Sequence, residues 1–353
     1  MSKDFKIMVI GGYGQVGRYI CKYLAEMERQ VVVAGRNIKK CESFLNELKE
    51  PKLESRFVDV TKWKDHYLDE IETVVMATEM NNVEVLEACI RKKVNYVDIT
   101  PSGILLDEML SRRKKIGSSG IAVCLGVGIA PGVSNVLCEH LAREFEQISE
   151  INSYLMLGIG ESHGKNAVKW MVDNLDKCFY ENKDSKRMVR SFSDGRNIFL
   201  DSKRNKQRYV RLDLADWHIM KEKHAGALVN SWYAYDKNSI TCLFEAFQKI
   251  GIFRLLKYQR IKTVFTKVME INTKLMKKIH FGTDEYAIML EVKGMINGKY
   301  MEKRDVLRGR GNSKITAKVC ALVADRMSDL QSGLFYMDEI VSRDDIIVPE
   351  EAT

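Results

Sequence analysis

The hexapeptide Gly12-Tyr13-Gly14-Gln15-Val16-Gly17 constrains this chain more than any other feature. It reads G-x-G-x-x-G, follows the apolar run at 6–10, and opens a helical pattern carried by Val16, Ile20, Tyr23, Leu24 and Met27. Strand, glycine turn and helix in that order aim a helix N-terminus at an anion. Gly12 permits the tight turn, Gly14 lets the backbone approach a pyrophosphate, and Gly17 lets the helix close on the strand. Beyond it, strand signals at 31–34, 56–60, 73–77, 95–99 and 121–126 alternate with helical ones at 37–50, 82–93 and 103–116. That density predicts an α/β fold, a doubly wound Rossmann-type parallel sheet.

Past residue 148 the pattern changes. Strand signals crowd together at 151–158, 188–192, 197–200, 209–214, 228–235 and 286–292, with Asp194-Gly195 reading as a hairpin turn. A helical region spans 240–279, with Ile261, Val264, Phe265, Val268, Leu275 and Ile279 on one face, and a last helix covers 313–327. The expected architecture is a dinucleotide-binding domain at 1–147 plus about 312–353, interrupted by an inserted α+β substrate and dimerisation domain at 148–311.

The end of the second strand chooses the cofactor. An NAD site places Asp or Glu there for the ribose hydroxyls, whereas this chain has Gly35-Arg36-Asn37. A guanidinium pairs with a 2′-phosphate that a carboxylate would repel, so the expected cofactor is NADP(H). Asp59 and Val60 after the third strand fall near the adenine, and Ala77 and Thr78 after the fourth near the nicotinamide ribose.

With VVVAGRN at 31–37, Tyr96-Val97-Asp98, and Gly128-Ile129-Ala130-Pro131-Gly132-Val133-Ser134-Asn135, the chain resembles the saccharopine dehydrogenase-like oxidoreductases. Further landmarks of that resemblance are Val210-Arg211-Leu212-Asp213-Leu214-Ala215-Asp216, Phe281-Gly282-Thr283-Asp284 and the helix around Thr316-Ala317. The resemblance implies a nicotinamide cofactor in the first domain and a second domain that shapes the substrate pocket. It also implies oxidation of a secondary amine, or reduction of an imine, in an amino-acid-derived substrate.

Imine chemistry needs proton transfer as well as hydride transfer. Asp98 ends a parallel strand, where ligands bind in such sheets, and is either a proton carrier or a backbone-bracing carboxylate. Tyr96, two residues earlier, shares its face. In the polar loop 161–166, His163 suits a proton shuttle and Lys165 a substrate carboxylate. Pro131 and Gly132 open a helix whose amides face the substrate or the carboxamide side of the cofactor, and Trp170, Trp232 and Tyr233 are either an apolar pocket wall or core aromatics.

Other classes find little support. The eight cysteines are scattered and never form CxxC, and no H-E-x-x-H occurs, so no metal site is expected. The uncharged stretch 116–138 is long enough to span a bilayer, but its five glycines and Pro131 suit a strand, loop and helix start better. The run 7–10 is too short for a signal peptide, and the chain reads as cytoplasmic. Net charge is +8, yet the segments 183–211 and 254–280 each carry +7. These are either solvated faces or a docking surface for an acidic partner such as a carrier domain, and no nucleic-acid module accompanies them. The apolar face at 261–279 is either a homodimer contact or internal packing.

The leading expectation is thus an NADP(H)-dependent oxidoreductase acting on a small-molecule C=N bond. Two others stand beside it: a reductase of a C=C or C=O bond in a carrier-bound intermediate, and a non-catalytic NADP(H) sensor.

Overall fold

A strand covered on both faces must be apolar nearly throughout, and the first sheet is built from such runs. The computed structural model describes residues 6–347, leaving aside 79, 81, 101, 162–163, 181–186, 201–205 and 280, and the side chains of 165, 166, 273, 274 and 277. Strands β1 (Lys6–Ile10), β2 (Gln30–Gly35), β3 (Leu53–Phe57), β4 (Ile71–Met76), β5 (Asn95–Asp98) and β6 (Ala122–Leu125) alternate with helices. These are α1 (Gln15–Glu26), α2 (Ile38–Leu48), α3 (Glu84–Lys92), α4 (Gly103–Leu110) and α5 (Arg113–Gly117). With the strand Gly333–Tyr336 they form a seven-stranded sheet in the order 333–336, β6, β5, β4, β1, β2, β3. Every pair is parallel, with Ile7 opposite Val31 on one side and Thr73 on the other. The order reverses at β1 and β4, and ligands of open α/β sheets bind beyond the strand ends at that crevice. Ile7–Ile10 and Val31–Ala34 are buried in its centre.

The chain divides into two compact units. One runs up to Val136 and resumes at Ser313; the other is Leu137–Asn312. In the second, α6 (Ser134–Ala142) leads to β7 (Gln147–Leu157), α7 (Lys165–Asn174), β8 (Cys178–Tyr180), β9 (Met188–Arg190), β10 (Arg196–Phe199) and β11 (Lys206–Arg211). There follow α8 (Ala215–Lys223), β12 (Leu228–Tyr235), α9 (Asn238–Lys249), α10 (Gln259–Lys278), β13 (Glu285–Ile296) and β14 (Lys299–Arg310). Its main sheet is mixed, in the order β10, β11, β12, β7, β13, β14, and only β12 and β7 run parallel. Helix α11 (Asn312–Arg326) then carries the chain back into the first unit, with Ala317, Cys320, Ala321 and Ala324 buried.

Several local expectations shift. The third strand lies at Leu53–Phe57 rather than 56–60, because an edge strand exposes one face and tolerates Glu54, Ser55 and Arg56. Asp194-Gly195 does not close a hairpin: β9 pairs with β8, and β10 pairs with β11. The helical region 240–279 breaks at Gly251, whose φ of 78° is left-handed, and a 3-10 turn at Ile252–Lys257 separates α9 from α10. The uncharged stretch 116–138 is the end of α5, then β6, a loop and the start of α6. Among the described residues, no helix is long and apolar enough to cross a membrane.

Candidate active site

The glycine loop joins β1 to α1 through close backbone contacts. A Cβ on Gly12 would lie 2.9 Å from the Val9 carbonyl oxygen, and one on Gly17 only 2.2 Å from that of Gly11. The fold itself therefore demands both glycines. Gly14 differs, because a Cβ there meets one protein atom, the Gly11 oxygen at 3.0 Å, and otherwise open space. Gly14 also caps α1 without a side-chain oxygen, and no acidic residue occupies the first turn. The positive end of the helix is thus left for an anion, in a cradle that a side chain at position 14 would fill. Val16 is half-buried at the start of α1, while the Gln15 side chain turns aside and donates to Ser313 Oγ at 2.9 Å. Gly11 escaped the sequence reading. Its φ is 87°, and a Cβ there would sit 2.8 Å from the Ala77 oxygen and 3.1 Å from Thr78 Cβ, so the loop lies against the end of β4.

The cationic end of β2 is richer than the sequence suggested. The Tyr13 ring packs over Gly35, where an added Cβ would fall 2.4 Å from the ring, and Lys40 Nζ lies 5.9 Å from the ring centroid. Arg36 and Lys40 are both exposed. The side chain of Asn37 caps α2, its oxygen accepting from the Lys40 amide at 3.2 Å, so this residue presents a second helix N-terminus. Tyr13, Arg36, Lys40 and the start of α2 fit a 2′-phosphate, and no carboxylate ends β2 to repel one. The missed signal was Lys39-Lys40 in a first turn free of acids. Asp59 accepts from the Thr61 hydroxyl at 2.8 Å and amide at 3.0 Å. Those bonds, aided by the charge of Arg36, hold its carboxyl below the usual range. Val60 beside it is half-buried.

Asp98 ends β5 and is buried together with Tyr96. The Tyr96 hydroxyl donates to Asp98 Oδ2 at 2.6 Å and the Thr100 amide to Oδ1 at 2.6 Å. Burial pushes the carboxyl up to about 6 against these two bonds, which favour the anion. With both oxygens engaged, Asp98 braces the turn after β5, and Tyr96 serves that brace.

The loop after β6 corrects a further expectation. The helix starts at Ser134, not at Pro131-Gly132, and both Pro131 and Gly132 are buried. The Gly132 amide is taken by Asn135 Oδ1 at 2.9 Å and is not free for a ligand. Only Ile129 and Ala130 of this loop are half-exposed.

In the second unit, His163 lies outside the described residues; Lys165 begins α7, its side chain likewise outside them. Trp170 is half-buried on α7. Tyr233 belongs to an aromatic cluster with Phe192 and Tyr235, on the sheet face opposite to Trp232. Trp232 sits in a polar network that the sequence did not reveal. Asn152 Oδ1 accepts from Trp232 Nε1 at 3.2 Å and from Asn230 at 3.1 Å, while Asn152 Nδ2 donates to Glu291 at 3.0 Å. Arg304 pairs with Glu291 at 2.7 Å. The Arg196 guanidinium lies 3.8 Å from the Trp232 ring centroid and 4.8 Å from that of Tyr154. Its Nε and Nη2 are buried with no hydrogen-bond partner among the described residues, and burial lowers its pKa to about 10. The buried hydroxyls of Tyr154 and Tyr209 also lack partners among the described residues. Strand alternation places all of these on one face of the mixed sheet, where Tyr154, Tyr209 and Trp232 pack with Leu200, Ala234, Ala287 and Met289 in a hydrophobic core.

One group of possible metal donors gathers among the described residues: Cys138, Glu139 and His224, within 4.8 Å of one another. His224 Nε2 and Glu139 already satisfy each other at 2.7 Å, as an ordinary hydrogen-bonded pair does.

Comparison with known proteins agrees with this geometry. The family described as "Saccharopine dehydrogenase NADP binding domain" matches residues 7–124. Carboxynorspermidine synthase of Vibrio cholerae is 28% identical over 187 residues, 44% of this chain and 43% of that protein. The Vibrio alginolyticus enzyme of the same name is 27% identical over 180 residues, with the same coverage. Less than half the length of either curated relative is therefore matched. Among solved structures, apo saccharopine dehydrogenase (L-Glu forming) from Saccharomyces cerevisiae superposes with a TM-score of 0.66 at 14% identity, over 97% of this chain and 95% of that one, a likeness of fold. The loop that leaves the α1 N-terminus to an anion and the cationic end of β2 thus both lie within residues 7–124, the part of this chain that matches the saccharopine dehydrogenase NADP-binding domain family.

Proposed function

We propose that this protein is an NADP(H)-dependent oxidoreductase that reduces an imine, or oxidises the matching secondary amine, of an amino-acid-derived substrate. The observation that carries the reading is the NADP-binding unit, with Tyr13, Arg36 and Lys40 gathered at the end of β2. The names of the relatives, carboxynorspermidine synthase and saccharopine dehydrogenase, point to substrates with amino-acid skeletons.

When bound, the cofactor supplies or accepts the hydride. The chain's own residues then do the remaining work. The α1 N-terminus and Gly14 hold the pyrophosphate, Arg36 and Lys40 the 2′-phosphate, and Asp98 fixes the turn after β5 at the sheet's carboxyl edge. Reduction of C=N adds the hydride to carbon and a proton to nitrogen; His163 is assigned that proton, imidazole being a side chain suited to proton transfer, and Lys165 a substrate carboxylate.

Calorimetric titration with NADPH and NADH side by side tests the cofactor half. NADPH is expected to bind at least about tenfold more tightly, and Arg36→Glu to erase that preference, since about 1.4 kcal/mol separates a pair lost from a pair kept. An unchanged ratio removes Arg36 from the site. NADPH binding without turnover on a panel of imines and secondary amines carrying carboxylates would leave a cofactor-binding sensor instead.

A further inference from the structure

Helix α10 is anchored along the side that carries Lys262, Phe265, Met269 and Met276. The Phe265 ring meets Phe253 edge-on at 6.3 Å, Lys262 pairs with Asp173 of α7 at 2.5 Å, and Met269 and Met276 are half-buried. Beside that anchored side run Ile261, Val264, Val268, Ile271 and Leu275, each between 41% and 64% exposed. Isolated exposed aliphatics are ordinary, but five in one row are not. Their spacing alternates three and four residues, the narrow 3.5-residue seam through which one helix packs on another. A lipid surface favours a broader apolar face, whereas here the neighbouring apolar positions turn inward. Ile250, Ile252, Leu255 and Tyr258, just before α10 in the chain, are exposed as well.

Charge chooses the occupant. The segment 254–280 has eight lysines and arginines against one acid. Arg260, Lys267 and Lys278 are exposed on the flank of the seam away from the anchored side. A second copy packed on the seam would bring its own Arg260, Lys267 and Lys278 toward these three, like charges in a contact that excludes water, which is unfavourable. We infer that this face of α10 docks an amphipathic helix of another protein, one with aliphatic residues at heptad spacing and Asp or Glu along its flank. The inference is independent of the imine-reductase reading, because none of these residues belongs to the proposed site.

The test uses the full chain and a labelled four-heptad peptide with Leu at the two seam positions and Glu at the flanking ones. A second peptide carries Lys in place of each Glu. Fluorescence anisotropy is expected to show micromolar binding of the Glu peptide alone, weakened at least about tenfold between about 0.05 M and about 0.5 M salt. Val268→Asp with Ile271→Asp should abolish it while NADPH binding and the circular-dichroism melt stay as in the parent, since both positions are exposed. Arg260→Glu with Lys267→Glu should transfer binding toward the Lys peptide, a reversal that mere loss of fold cannot produce. Failure of the Glu peptide to bind, or equal binding of both peptides, overturns the inference. So does sedimentation showing a dimer that the Asp pair dissociates, which gives the face to a second copy. Pelleting with vesicles of phosphatidylglycerol and phosphatidylcholine that the Asp pair abolishes would give it to a membrane.

Discussion

Asp98 is buried, hydrogen-bonded at both oxygens, and still holds its proton to about pH 6 because burial disfavours the carboxylate. A carboxyl whose folded-state pKa is raised stabilises the protein at low pH, and that contribution is lost as pH rises through about 6. Asp98→Asn keeps an oxygen for the Thr100 amide and an NH2 for the Tyr96 hydroxyl, without a charge to bury. The variant is therefore expected to match the parent near pH 4 and exceed it by about 3 kcal/mol at pH 8, read from urea unfolding at both. A gain that does not vary with pH would mean that Asp98 does not titrate in this window. The position of Asp98 at a strand end was legible in the sequence, and bracing was one of the two roles read there; what favours bracing was not. That role depends on Thr100, whose amide turns back onto the carboxylate only once the loop has formed. Gly14 was legible because the rule for it concerns a ligand, whereas Lys40 was missed because its partner, the Tyr13 ring, comes from another turn of the chain.

Elements buried on both faces were the easiest to read: β1, β2 and β4 announce themselves as apolar runs. Edge elements were harder. Strand β14, twelve residues long and rich in Lys, Arg and Glu, went unnoticed because charge on an edge strand is a guard against further pairing, not a mark of a loop. The polar sheet face with Arg196, Asn152 and Glu291 was equally hidden, since its residues come from three strands scattered along the sequence. Gly251 marks the reverse case, a single residue that divides an otherwise helical region. Gly251→Ala must hold a Cβ at φ 78° and is expected to cost about 1 kcal/mol, measured as a lower urea midpoint with an unchanged slope. If the midpoint rises instead, the segment has straightened into one continuous helix.

For the molecule as a whole, the fold class and the NADP-binding character of the first unit were both available from the sequence, because a doubly wound sheet repeats its signal six times before residue 126. Cofactor binding belongs to that unit, so NADPH at about 100 times its dissociation constant should stabilise it by about 2.7 kcal/mol. Differential scanning fluorimetry reads this as a rise in melting temperature that grows with NADPH concentration. An unmoved transition would place the binding outside the native fold.

The first unit is written in two pieces, and the strand that closes its sheet against β6 is Gly333–Tyr336. On the ribosome, β6 is finished about 200 residues before its neighbour exists, roughly 10 to 40 s of synthesis. Throughout that interval the nascent sheet ends on a bare, fully apolar edge, Ala122–Leu125, while an entire second unit emerges and folds. In growing cells this edge is therefore expected to need shielding during translation, which would show as a soluble yield that rises with chaperone supply.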